Sequence, residues 1–162
     1  MLFEFILHNM NGVCFNKCHY DHELDDIRSI IKDFCSVISG KSSFIVSGFG
    51  QEKWPVSVDT DFPVFLEQLP DLLESIKSKK DFCLDFYEQG VERYLNFTLS
   101  GNEYSISCIS FTEWQPLPFS ERINIDELEE MLLSVKLSFK DALELCASWL
   151  LKDKWVINWL EG

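Results

Sequence analysis

The residues best suited to bind a metal lie together in one short segment, 14–22. It contains two cysteines and two histidines: Cys14, Cys18, His19 and His22. Thiolate and imidazole are the ligands that tetrahedral zinc prefers. His19 directly follows Cys18, however, and two adjacent side chains do not easily reach one ion. The rest of the chain supplies no second Cys/His pair. We therefore favour a polar loop with incidental cysteines and histidines, and keep a zinc site as the alternative.

The other motifs do not predict catalysis. All three histidines lie within the first 22 residues, so a Ser–His or Cys–His pair would have to be assembled across the fold. The segment 47–50 (Ser-Gly-Phe-Gly) lacks the leading glycine of a strained nucleophile turn. The segment 40–42 (Gly-Lys-Ser) has only the end of a phosphate-binding loop. We therefore expect a protein that is not an enzyme and needs no cofactor.

The acidic side chains give the clearest functional signal. The chain has 27 Asp and Glu against 14 Lys and Arg, which gives a formal net charge of −13 over 162 residues. Such a surface repels phosphates, so we expect no direct nucleic-acid partner. It attracts a basic protein, and the attraction acts mainly on association rate and specificity.

The acids gather in four clusters. Segments 54–76 and 81–92 contain five and four acids respectively, with no Lys or Arg among them. The clusters at 21–26 and 126–130 lie at predicted helix starts, where acids also complement the helix dipole. Each cluster alone is compatible with a solvated face, but the four together favour a negative docking surface. The acids expected to contact the partner are Asp59, Asp61, Glu88, Glu92, Asp126, Glu129 and Glu130.

Two tryptophans are candidates for the apolar anchor of such an interface. Trp54 and Trp114 both border predicted loops, and exposed Trp side chains often dominate the binding energy of protein interfaces. The alternative is that these two side chains close the edge of the core.

Hydrophobic spacing predicts the elements that position these residues. Helices are predicted at 24–38, from Asp61 with a kink or restart at Pro70, from Asn124, and again from Ser138. Strands are predicted at 2–8, 43–48, 54–59, 82–87, 91–99 and 103–111. This order predicts an α+β fold, with an antiparallel sheet of about five to six strands and helices packed on one face.

The length and composition predict one soluble globular domain spanning residues 1–162. Hydrophobic residues make up 46% and charged residues 25% of the chain, and no apolar run is long enough to cross a membrane. The segment 1–8 lacks the basic start and the small-residue cleavage site of a secretory signal. The six cysteines therefore predict reduced thiols, a cytoplasmic location and no membrane partner.

Two segments carry a resemblance to a known class of proteins. The run 84–93 (Leu-Asp-Phe-Tyr-Glu-Gln-Gly-Val-Glu-Arg), followed by an alternating strand, resembles bacterial immunity proteins of contact-dependent growth inhibition and related polymorphic toxin systems. So does 114–118 (Trp-Gln-Pro-Leu-Pro), which leads to an acidic helix and a Trp-rich tail. The stretch 81–119 carries most of the likeness, and it contains no catalytic motif.

The resemblance implies a small cytoplasmic protein that is encoded beside a toxin. Such a protein binds the toxin's C-terminal nuclease domain, which is commonly basic, and blocks its active site or the surface that it uses. The interface is not shared between members, so the resemblance assigns no site residue. The leading hypothesis is thus an immunity protein that neutralises a cognate nuclease toxin. The alternatives are a small zinc protein and a non-enzymatic adaptor domain.

Overall fold

A computed structural model describes residues 1–21 and 23–162, and this part of the chain contains six strands and four α-helices. In chain order they are β1 (Leu2–Leu7), α1 (Ile27–Ile38), β2 (Ser42–Ser47), α2 (Asp61–Lys77), β3 (Phe82–Phe86), β4 (Arg93–Ser100), β5 (Glu103–Ser110), β6 (Ser120–Asn124), α3 (Ile125–Cys146) and α4 (Lys154–Glu161). Short 3₁₀ turns follow α1 at Ser39–Lys41 and α3 at Ser148–Lys152.

All strand pairs are antiparallel, and the strands form two sheets. Strands β1 and β2 pair with Phe5 opposite Phe44. Strands β3 to β6 form a meander in which each strand pairs with the next, and Leu95 lies opposite Cys108. The α+β class and the antiparallel pairing are therefore confirmed. The six strands divide into a two-stranded and a four-stranded sheet instead of forming one.

The helices cover one face of the strands. Helix α2 packs on β3, and α3 packs on β1. The alternation along the meander explains this arrangement, because Leu84, Leu95 and Ile106 all point to the buried face. The opposite face carries polar side chains that include Asn96 and Ser107.

Phenylalanine rings join the two sheets in one core. The Phe65 ring on α2 lies 5.2 Å from that of Phe3 in the small sheet and 6.4 Å from that of Phe86 in the large sheet. Phe62, one turn earlier, lies 5.9 Å from Phe139 on α3 in an edge-to-face contact. Such ring pairs contribute packing energy beyond the area that they bury.

Helix α1 begins later than the spacing predicts. The side chain of Asp26 caps it by accepting a 2.8 Å hydrogen bond from the amide of Arg28. Leu24, the first residue of the predicted helix 24–38, precedes this cap and is 85% exposed. The prediction was wrong because apolar spacing alone does not locate the cap.

Helices α2 and α3 both begin where they were predicted to begin. Helix α2 continues through Pro70 without a second start; the burial of Leu69, Leu72 and Leu73 on the core offsets the hydrogen bond that proline cannot form. Helix α3 starts at the predicted cap, where Asn124 accepts a 2.9 Å bond from the amide of Asp126.

The predicted second start of the last helices, at Ser138, is wrong. Helix α3 runs unbroken from Ile125 to Cys146. Val135, Phe139 and Ala142, which flank Ser138, continue one buried face. Ser138 therefore lies inside the helix, and its spacing to Asp141 does not mark a new N-terminus.

The predicted strand at 54–59 is an irregular segment. Pro55 removes one donor, and the amide of Ser57 is used by the carboxylate of Asp61 at 2.7 Å instead of by a strand. The strand β6 was not predicted; it pairs with β5, with Ser120 opposite Ser107. None of the described helices is both long enough and apolar enough to cross a bilayer.

Candidate functional site

One cleft lies between the start of α1, the start of α2 and the turn after β3. It has a volume of about 430 Å³. We call it the acidic cleft, and the charged and phenolic side chains that line it are Asp26, Arg28, Lys32, Asp59, Glu67, Tyr87 and Glu88. Two of the predicted contact residues, Asp59 and Glu88, are thus brought together here.

Two carboxylates of the acidic cleft already have partners within the fold. An Arg28 Nη2 atom lies 2.6 Å from Asp26 Oδ2, and these hydrogen bonds hold the pKa of Asp26 below its usual value. The hydroxyl of Tyr87 donates a 2.8 Å bond to Glu67. Burial, and then this bond, raises the pKa of Tyr87 to about 12. The cleft therefore balances part of its own negative charge.

Asp61 does not line the acidic cleft, and its side chain is buried. It is only 4% exposed. Its Oδ2 accepts bonds from the amide and the hydroxyl of Ser57 at 2.7 Å and 3.2 Å. Burial raises the pKa of this carboxyl group. The prediction that Asp61 contacts a partner is wrong, because its side chain holds the turn that leads into α2.

Trp54 is also a core residue instead of a surface anchor. It is 1% exposed, and its Nε1 donates a 3.2 Å bond to the carbonyl of Gly48. The prediction for Trp54 is therefore wrong, and the alternative that it closes the core is correct. Trp114 is half-buried, with its ring centroid 6.0 Å from that of Trp54.

Arg93 contacts the rings of both tryptophans and was not among the predicted site residues. It is 2% exposed, and its Cζ lies 4.2 Å from the centroid of Trp54 and 3.6 Å from that of Trp114. One hydrogen bond, of 2.8 Å, joins Nη2 to Gln51. The available signal was the alternation of β4, which places residue 93 on the same inward face as Leu95 and Phe97.

Glu92 lies at a tight turn outside the acidic cleft. Its φ of 42° is left-handed, and its carbonyl accepts a 2.9 Å bond from the amide of Phe111. Its side chain is half-buried. The backbone of Glu92 therefore helps to fix the loop that carries Trp114.

The remaining predicted acids lie on the solvent side of α3. We call this surface the α3 outer face, and it consists of Asp126, Glu129, Glu130, Leu133, Leu137 and Asp141. It forms a shallow depression of about 520 Å³, also lined by Ser134 and Ser138. Leu133 and Leu137 are 40% and 59% exposed although they are large and apolar. Five of the seven predicted acids thus lie on two separate surfaces, two in the acidic cleft and three on the α3 outer face. Of the other two, Asp61 is buried and Glu92 lies on neither surface.

Residues 14–21 of the segment proposed as an alternative metal site form a loop docked on the end of α3. Its buried residue is Phe15, whose amide donates a 3.0 Å bond to the carbonyl of Cys146. Cys14, Cys18 and His19 are exposed. Across residues 1–21 and 23–162, no group of three or more His, Cys, Asp and Glu side chains is placed to hold a metal ion. His22 lies outside the described residues.

Comparisons with protein-family models, with curated protein sequences and with solved protein structures gave no match. The function must therefore be inferred from the surfaces of this chain. Two of them carry charge in a concentrated form: the acidic cleft, which contains its own cations, and the α3 outer face, which combines acids with exposed leucines.

Proposed function

We propose that this chain is an immunity protein, which binds and neutralises the basic C-terminal nuclease domain of a cognate toxin and so protects the bacterium that makes it. The observation that carries the proposal is the α3 outer face. Four carboxylates surround two exposed leucines there, and the described side chains that line it include no Lys or Arg. An apolar centre with a charged rim is the usual composition of a protein–protein interface.

The charge of the chain selects the kind of partner. A nuclease has to attract phosphates, so its substrate channel carries Lys and Arg. An acidic protein with a formal net charge of −13 is attracted to that same surface. Binding there would exclude nucleic acid by occupying the cationic side chains that it needs. No catalytic step by this chain is required, and inhibition would be stoichiometric.

The resemblance of segment 81–119 to immunity proteins agrees with this role. In the structure, this segment forms β3, β4, β5 and the loop that carries Trp114. It builds the sheet behind the helices and contributes Tyr87 and Glu88 to the acidic cleft. We propose that the segment acts chiefly as the scaffold, and that the cytoplasm is the compartment in which an incoming toxin domain would be met.

A growth-protection assay tests the proposal. The toxin C-terminal domain encoded immediately beside this gene would be induced in a sensitive host, with and without this chain. We expect growth to be restored by this chain and a complex of the two proteins to co-purify. A toxin domain from an unrelated system serves as the control and should kill in both cases. Continued killing by the cognate toxin, with this chain expressed in soluble form, would overturn the proposal.

A further inference from the structure

We infer that the α3 outer face, and not the acidic cleft, is the surface that docks the toxin domain, and that the matching surface of that domain is an apolar patch ringed by Lys and Arg. This inference rests on the proposed function and assigns it to one of the two charged surfaces. The two surfaces differ in shape, in exposed apolar area and in how far their charges are already neutralised.

The α3 outer face has its apolar residues in the centre. Asp126, Glu130, Leu133, Leu137 and Asp141 follow one another at intervals of four, three, four and four residues. This spacing places them in one line along the helix, over a length of about 22 Å. The two leucines occupy the middle of the line, and carboxylates stand at both ends. A partner that covers the leucines therefore meets acids on each side.

The opposite face of α3 holds this surface rigid. Leu132, Phe139 and Leu143 are buried, and the helix contacts both β1 and α2. Asn124 caps its first turn. Because the docking side chains project from a helix that is already fixed in the core, little backbone order has to be gained on binding.

The acidic cleft is the weaker attractor for a basic protein. Its lining has four carboxylates but also Arg28 and Lys32, which leaves a net charge of −2. The lining of the α3 outer face also has four carboxylates, and without a compensating cation its net charge is −4. The neighbouring Lys140 does not change this balance, because its ammonium pairs with Glu144 one turn further along.

The acids of the α3 outer face also restrict which kind of partner can cover Leu133 and Leu137. A second copy of this chain would bring two surfaces of net charge −4 together, and like charges across an interface are repelled. A membrane surface presents anionic headgroups, which are repelled in the same way. A basic protein can bury the leucines and also pair its cations with the carboxylates. It is therefore the partner that we assign to this surface.

Two matched triple variants test the assignment. The first removes three of the four negative charges of the α3 outer face by Glu129→Gln, Glu130→Gln and Asp141→Asn. The control neutralises two acids of the cleft, by Asp59→Asn and Glu88→Gln, and one acid that lies on neither surface, by Glu92→Gln. Each removes three negative charges from the same total of −13, so the long-range attraction falls equally. A third variant, Leu137→Ser, leaves the charge unchanged and removes exposed apolar area.

The probe is the purified C-terminal domain of the adjacent toxin, inactivated in its active site. Its association and dissociation rates would be measured at low and at physiological salt. We expect the first triple variant to weaken binding by about tenfold or more, and the control by less than about threefold. Leu137→Ser should accelerate dissociation about fivefold or more at either salt concentration, because the loss of an apolar contact is not screened.

Equal weakening by the two triple variants, or a larger effect of the control, would overturn the assignment to α3. The assignment would also be overturned if the Leu137→Ser variant dissociated from the toxin domain at the rate of the unmodified chain. This measurement keeps the assignment testable if a triple variant does not fold. Failure of the unmodified chain to bind the probe is a different result. It would overturn the proposed function itself, and the assignment with it.

Discussion

The guanidinium of Arg93 stacks on the ring of Trp114, with Cζ 3.6 Å from the ring centroid. The centroid of the Trp54 ring lies 4.2 Å from the same carbon. Among the described residues, Nε and Nη1 of this buried side chain have no hydrogen-bond partner. Burial lowers the pKa of the group, although an arginine stays charged in any case. The stacking therefore supplies much of what stabilises this cation, and it ties the 111–119 loop to the sheet.

Substitutions of Arg93 and Trp114, made singly and together, should reveal the energetic coupling between these two side chains. Trp114→Ala is expected to lower the free energy of unfolding by about 3 kcal/mol, because it removes an aromatic contact and uncovers the cation. In the Arg93→Met background the same substitution should cost about 1 kcal/mol less. Urea unfolding of the four proteins measures this difference. Costs that simply add would show that the stacking contributes no stability.

Gly50 should be intolerant of any side chain. An added Cβ would lie 1.9 Å from the carbonyl oxygen of Leu117, and φ at this position is +80°. Gly50→Ala is expected to lower the free energy of unfolding by about 3 kcal/mol or more, because steric overlap adds to backbone strain. Gly101→Ala is the control, with φ +67° and no atom within 4 Å. It should cost about 1 kcal/mol, and thermal unfolding would compare the two.

Lys136 is a buried cation that we expect to destabilise the fold. It is 9% exposed and lies 5.7 Å from the ring of Trp159. Among the described side chains it forms no ion pair with a carboxylate. Burial lowers its pKa from the ordinary 10.5. Lys136→Met should therefore raise the free energy of unfolding at pH 7 by about 1 kcal/mol, since it keeps the stem and removes the charge.

The gain from Lys136→Met should depend on pH with a definite sign. The unfolded chain holds the proton up to its pKa of 10.5, whereas the folded chain releases it at a lower pH. The stability of the unmodified protein therefore rises through that window. The advantage of the Met variant should shrink as the pH approaches 10.5. Denaturant unfolding at pH 7 and pH 10 measures it, and an advantage that grows with pH would contradict the assignment.

Asp61 should give the opposite dependence at acidic pH. Burial raises the pKa of Asp61 in the folded state above the ordinary 3.8, so the folded state binds the proton more tightly than the unfolded chain does. The contribution of Asp61 to stability therefore falls as the pH rises from 3.8 through the higher pKa of the folded state. Asp61→Asn keeps an oxygen to accept the Ser57 amide and removes the charge. Its stability relative to the unmodified protein should therefore increase between pH 3.5 and pH 6. A constant difference in melting temperature would show that the carboxyl group is not perturbed.

The sequence predicted the elements better than it predicted which polar residues are buried. The α+β class, the antiparallel meander and the Asn124 cap follow from local spacing and turn chemistry, which the fold preserves. The burial of Asp61 and Trp54 depends on contacts with distant segments. Both were therefore predicted as contact residues, with a place at the edge of the core kept as the alternative for Trp54.

The residues of the candidate surfaces also include some that the sequence groups together and others that only tertiary packing brings together. Asp126, Glu129 and Glu130 share one helix, so the sequence alone brought them together. The two leucines that complete this surface were not predicted, because an exposed leucine on an amphipathic helix cannot be told from a core residue until the opposite face is known. The meeting of Asp59 with Glu88 depends on the packing of α2 against the turn after β3, which no local pattern encodes.

The most direct test of the proposed immunity function is the inhibition of purified toxin nuclease. The nuclease activity of the adjacent toxin domain would be measured as this chain is titrated against it at physiological salt, with an equally acidic unrelated protein as the control. We expect complete loss of nucleic-acid cleavage at one chain per toxin domain, with no effect of the control. Cleavage that persists at a large excess of this chain would contradict the proposed function.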